Sequence, residues 1–146
     1  MVRQAKLYEE DFYAWTQEQA SLIKNNTLSE LDRNNLSEEV ENMGASEVRE
    51  LESRFEVLLT HLLKWKYQPT HRSMSWELTI KEQRKRIEKR LQRMPSLKAR
   101  LDEVFVDAYE VATYEAAKET TLSLKAFPEV CEWSRKQVLD DEFFPS

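Results

Sequence analysis

The chain has 146 residues, 34% of them charged, with one glycine, four prolines, one cysteine and a formal net charge of −5. A single glycine excludes phosphate-cradling loops and dinucleotide fingerprints, which need several glycines at fixed spacing. A single cysteine, Cys131, excludes an internal disulfide and any cysteine-based zinc site, and suits a reducing compartment, so the cytoplasm is the expected location.

The length suits one domain spanning residues 1–146. Few glycines and prolines among many helix formers predict an all-α protein. No apolar signal core opens the chain. The most apolar segment, VLLTHLLKW at 57–65, falls far short of the roughly 20 residues that a membrane span needs. No membrane association is expected.

The spacing of Tyr8, Phe12, Trp15, Gln19 and Leu22 predicts a first amphipathic helix over 8–25, with Glu9, Glu10 and Asp11 in its first turn and Asn25-Asn26 ending it. The stretch that organises the rest follows. Leu36, Val40, Val48, Leu51, Phe55, Leu58, Leu62 and Trp65 recur at helical spacing between a capping Asp32 and a terminating Pro69. They predict one helix over about 32–67, near 50 Å long at 1.5 Å per residue. Gly44 lies on this stripe. It is read as a point of close helix approach or a kink, with a break capped by Ser46 as the alternative.

A polar connector over 67–75 leads to a third helix over 75–94, with Trp76, Ile80, Ile87, Leu91 and Met94 inward and Gln83 in the gap. Pro95-Ser96 interrupts, and a fourth helix from about Leu97 to Thr120 carries Leu101, Val104, Phe105, Ala108, Val111, Ala112 and Ala116 on a small-residue face. Beyond it, Phe127-Pro128 reads as a turn, Ser134 with Gln137 as a capping box, and Phe143-Phe144-Pro145 as an apolar tail folded back. The fold class is an irregular antiparallel helical bundle of about four main helices, with one long helix and a short helical C-terminal tail.

Residues 81–100 hold nine Lys or Arg against two Glu, a local +7 that leaves −12 elsewhere. This basic helix, with Lys81, Arg84, Lys85, Arg86, Lys89, Arg90 and Arg93 on its face, is the strongest partner candidate. A protein partner or self-association would use it, a nucleic acid would use it as a phosphate footprint, and pairing with the Glu47-Glu50-Glu52 region would make it purely structural.

A second group is His61, Trp65, Arg72 and Trp76, with Glu39. His61 suits a general base or a metal ligand with Glu39 or Glu119, or a histidine hydrogen-bonded inside the bundle. Neither His61 nor His71 has a Glu three residues before it, so a carboxylate-bridged metal pair is not expected, and no cofactor is implied. Arg72 between Trp65 and Trp76 suits stacking on a flat ligand or an internal cation–π brace. Asn35, Glu39, Asn42 and Ser46 form a polar line along the long helix, suited to recognition or to interhelical hydrogen bonds. Cys131 has no histidine in its sequence context and reads as a small buried apolar residue. No nucleophile elbow is present.

The segments YEEDFYAWTQEQASLI, NLSEEVENMGASEVRELESR, LLTHLLKWKYQP, RSMSWELTIKEQRKRI, PSLKARL and FPEVCEWSRKQVLDDEFFP resemble, in that order, the domain of unknown function 29 family of bacterial proteins. The resemblance runs from about Tyr8 to Pro145 and is carried by Asp11, Phe12, Trp15, Asn35, Glu39, Met43, Gly44, His61, Trp65, Gln68, Pro69, Arg72, Trp76, Pro128 and Cys131. The family's usual Pro before the last Trp is Glu132 here. The resemblance implies an almost wholly helical single-domain protein and no specific activity. The residues alone favour a non-catalytic protein–protein interaction or adaptor module using helix 81–93. The alternatives are an enzyme or metal-binding bundle centred on His61 and a nucleic-acid-binding helical module.

Overall fold

The computed structural model describes residues 2–146, with side chains from Lys6 onward. Among the described residues are six α-helices and no strand: α1 (Val2–Glu10), α2 (Phe12–Lys24), α3 (Arg33–Tyr67), α4 (Met74–Arg93), α5 (Leu101–Thr120) and α6 (Arg135–Leu139), joined by short 3-10 turns. The protein is an all-α helical bundle. It divides into two compact units, Met1–Ser46 and Glu47–Ser146.

In the first unit, the single helix expected over 8–25 is two helices. Asp11 leaves the helical region at φ −150°, and its carboxylate accepts the Ala14 amide at 3.1 Å, capping α2 instead of lying within a first turn. The Asn25-Asn26 stop is as expected. Asn26 takes φ 58°, a left-handed conformation that asparagine tolerates better than most residues. Tyr8, Phe12 and Trp15 pack as a triad with ring centroids 4.8 to 5.6 Å apart. Beneath it, buried Asp32 ties two elements together. It accepts the Trp15 indole N–H at 3.0 Å and the Asn35 side-chain amide at 2.8 Å, while its own N–H donates to the Gln19 side-chain oxygen at 2.9 Å. A buried carboxylate needs such donors to offset lost hydration.

α3 runs unbroken through Gly44, as favoured from the sequence, but the reason differs. No atom lies within 4 Å of where a Gly44 Cβ would sit, so no helix approaches closely there. Val40 and Met43 beside it are 63% and 69% exposed. The glycine is tolerated because α3 is long and its neighbours are helix formers, at a cost of roughly 1 kcal/mol relative to alanine.

The second unit is built on the C-terminal half of α3, whose Leu51, Phe55, Leu58, Leu59, Leu62 and Leu63 are all fully buried. Two adjacent buried positions per turn make a stripe wide enough for neighbours on two sides. α4 supplies Ile80 and Ile87. α5 supplies Leu101 and Val104 followed by Ala108, Ala112 and Ala116, whose short side chains admit close packing. Val111, expected inward, is 38% exposed. α5 starts at Leu101, not Leu97, because Pro95–Arg100 forms a 3-10 turn. Its last residue is followed by Thr121 at φ 61°, an unfavourable conformation for a β-branched side chain.

The C-terminal segment folds back as expected. Ser134 and Gln137 form the capping box that starts α6, Phe144 packs on Trp65 with centroids 5.0 Å apart, and Phe143 meets Trp133 edge-on. Arg84 anchors this tail. It is 2% exposed, donates to the carbonyls of Val138 at 2.8 Å, Phe143 at 2.6 Å and Asp141 at 3.4 Å, and lies over the Phe144 ring. Arg84 is therefore not on the exposed basic face. Burial pushes its pKa down, opposed by Asp141 and Asp140.

Candidate functional site

Five cations of α4, Lys85, Arg86, Lys89, Arg90 and Arg93, join Arg54 of α3 in lining an open groove of about 680 Å³, with Glu47 and Glu82. Six cations face two carboxylates. Their states differ. Arg90 is bonded to Glu47 and lies 3.8 Å from Glu50, the contact anticipated with the acidic stretch of α3. Arg86 grips Glu82 at 2.9 Å and Arg54 grips Glu50 at 2.8 Å. Lys85 reaches Glu88 at 3.8 Å. Lys89 and Arg93 make no ion pair among the described residues. Lys81 lies outside this lining and contacts Glu77 at 3.4 Å. The groove thus holds fixed guanidinium groups beside free cations, a surface suited to carboxylates or phosphates.

His61, Trp65, Arg72 and Trp76 are separate contacts, not one constellation. His61 is half-buried, with Nδ1 2.8 Å from the Val57 carbonyl, which can only accept, so Nδ1 carries the proton. Burial pushes its pKa down and Lys64 adds to this, against the Val57 hydrogen bond and Glu119. Glu119 is engaged by Lys64 Nζ at 2.9 Å. Lys64 also lies 4.6 Å from the Trp76 ring centroid. Arg72 stacks at 5.0 Å on Trp65 alone, and donates to the Trp65 carbonyl at 2.8 Å and the Pro145 carbonyl at 3.3 Å. It therefore caps α3 and holds the tail. Gln68 similarly donates to the Thr120 carbonyl at 3.1 Å, satisfying the end of α5.

Glu39 belongs to the first unit, where it accepts the Tyr8 hydroxyl; that hydrogen bond is the main cause pushing the Tyr8 pKa up to about 12. Asn35 bonds to Asp32, whereas Asn42 and Ser46 face solvent, so the polar line is only partly internal. Among the described residues, no three His, Cys, Asp or Glu side chains are grouped to hold a metal ion.

Sequence reasoning missed one concave surface. α5 and the loop 124–131 enclose a cleft of about 540 Å³, floored by Phe105, Tyr109, Phe127 and Cys131 and rimmed by Val106, Tyr114, Leu124 and Val130, with Glu110 and Glu129 at its edge. The Tyr109 hydroxyl donates to the Pro128 carbonyl at 2.7 Å and so fixes the loop against the helix. Burial pushes the Tyr109 and Cys131 pKa values up, which keeps both neutral. Cys131 is half-buried and has no disulfide. The available signal was a pair of apolar residues, Val106 and Tyr114, out of phase with the alanine face of α5.

Among the described residues no helix is long and apolar enough to cross a membrane. No curated protein and no solved structure matches the chain. The family model described as "Domain of unknown function DUF29" matches residues 7–144. With nearly its whole length so matched, the chain belongs to the DUF29 family.

Proposed function

We propose that the protein is a non-catalytic protein-binding module that takes an acidic segment of a partner into the groove between α3 and α4. The observation that carries this reading is the uneven pairing of the groove, in which Lys89 and Arg93 have no counterion among the described residues while Arg86 and Arg90 are held in place by Glu82 and Glu47. Held guanidinium groups lose little further side-chain entropy on binding, and the two free cations supply the attraction. Lys85, Lys89 and Arg93 are spaced four residues apart, about 6 Å per step. Carboxylates four residues apart on a partner helix, or two apart on a strand, repeat at about the same distance.

A protein segment suits the charge distribution better than a nucleic acid. The rest of the chain carries −12, which repels a long polyanion, whereas a short acidic segment feels the groove within a Debye length of about 8 Å.

Fluorescence anisotropy of a labelled glutamate-rich peptide tests the reading, beside a labelled single-stranded oligonucleotide of matched charge. The expected result is peptide binding that weakens at least tenfold in Lys89→Glu/Arg93→Glu, with the oligonucleotide bound more weakly. Tighter oligonucleotide binding, or no peptide binding, would overturn it.

A further inference from the structure

We infer that the cleft between α5 and the loop 124–131 is a self-association site that receives the exposed ridge Met74, Leu78 and Lys81 from α4 of a second copy of this chain. This surface is distinct from the basic groove. The cleft has an apolar floor and an apolar rim, and Val130 on that rim is 79% exposed, a poor arrangement for a surface meant to face water. Its only charged lining residues are Glu110 and Glu129, neither of which makes an ion pair among the described residues. The occupant must therefore be apolar with an adjoining cation.

The same chain carries such an element. Met74 and Leu78 are 66% and 56% exposed, and with Lys81 they follow i, i+4, i+7 spacing, which places all three on one face of α4. That ridge rises about 10 Å, and the cleft edge from Val106 to Tyr114 rises about 12 Å, at 1.5 Å per residue. Met74 and Leu78 cover the apolar rim, and Lys81 exchanges its loose contact with Glu77, 3.4 Å on an exposed face, for the two unpaired carboxylates.

One insertion alone buries too little for a stable pair, since specific interfaces need roughly 1,200 Å² or more. In a two-fold dimer the contact is made twice, each copy giving its ridge and receiving the other's. The arrangement is a reversible dimer with complementary charge at each contact.

Sedimentation velocity over a concentration series tests this with two charge-reversed variants. Glu110→Lys/Glu129→Lys places cations in the cleft opposite Lys81, and Lys81→Glu places an anion on the ridge opposite Glu110 and Glu129. Each variant alone repels itself at both contacts, so each is expected to dimerise at least tenfold more weakly than the wild type. Mixed one to one, the two variants are complementary at both contacts, and the mixed dimer is expected to return to within about threefold of wild-type affinity. Recovery on mixing also shows that both variants are folded. A wild-type chain that stays monomeric at millimolar concentration overturns the inference and leaves the cleft to a different occupant. So does retained self-association in the single variants, or a mixture no tighter than its components. Lys89 and Arg93 are untouched in both variants, so acidic-peptide binding is an independent readout of the groove.

Discussion

Replacing Arg84 by Met removes the donors that hold the C-terminal tail while keeping most of the side-chain volume. Arg84 makes two short bonds, to Val138 and Phe143, and one long bond to Asp141, from a nearly buried position. A hydrogen bond from a charged donor contributes about 1.5 to 3 kcal/mol, so the two short bonds supply about 3 to 6 kcal/mol. Desolvation of a guanidinium with no carboxylate in direct contact offsets part of that, as its lowered pKa indicates. The expected net loss in Arg84→Met is about 3 kcal/mol. With a urea m-value of about 2 kcal/mol/M, the midpoint falls by about 1.5 M. Tryptophan fluorescence follows it directly, because Trp65 and Trp133 pack on Phe144 and Phe143. Hydrogen exchange should speed up first over 138–144. Arg84→Lys, with one donor point instead of a fork, should fall between the two. A loss below about 1 kcal/mol, or unchanged exchange in the tail, would refute the assignment of Arg84 as its anchor.

In the first unit, Trp15→Phe keeps an aromatic ring but removes the indole donor to buried Asp32, and should cost at least about 1 to 3 kcal/mol by chemical denaturation. Thr121→Gly relieves a left-handed β-branched residue and should raise stability by about 1 kcal/mol in the same assay. His61 is neutral by preference in the fold, so its contribution is fully present above its unfolded value of about 6.5 and is lost as pH falls through the depressed folded value. Glu52 and Glu56, raised chiefly by burial, give the opposite slope near and above their unfolded value of 4.5, gaining stability as they protonate. The difference between wild type and His61→Gln, measured by thermal melts across that range, isolates the histidine and should shrink as pH falls. A pH-independent difference would contradict the cause assigned to the shift.

The helices were legible where local spacing decides them, and obscure where distant groups decide. The period of α3 predicts which residues share a face, and Leu51 to Leu62 are buried accordingly. The same period assigns Val40 to that face, but phase alone does not say whether anything covers it. Arg84 shows the converse. It stands in phase with Ile80, Ile87 and Leu91, but its charge placed it with the exposed basic face, and phase and charge conflict there. What reconciles the two is a set of carbonyls 54 to 59 residues further along. No local window contains them. Arg72 and Gln68 were similarly readable as a loop cluster, while their roles as caps depend on the ends of α3 and α5 and on the returning tail.

The basic helix required the same step from composition to pairing, and it yields the last prediction. Residues 81–100 have an excess of seven positive charges by count, but Arg84 is buried, Arg86 and Arg90 hold carboxylates, and Lys89 and Arg93 alone among the groove cations have no ion-pair partner among the described residues. A single-stranded nucleic acid that displaced those pairs and engaged all six groove cations would show log K against log salt with a slope near −4, at about −0.7 per phosphate neutralised. An acidic peptide carries no comparable condensed counterion layer, and with two unpaired cations as its main contacts the slope should lie near −1 to −2. Measured peptide binding as steep as −4 would mean that the carboxylate-held arginines are released on binding. The groove would then be a polyanion site, and Glu47→Gln, which removes the nearer of the two carboxylates on Arg90, would strengthen it.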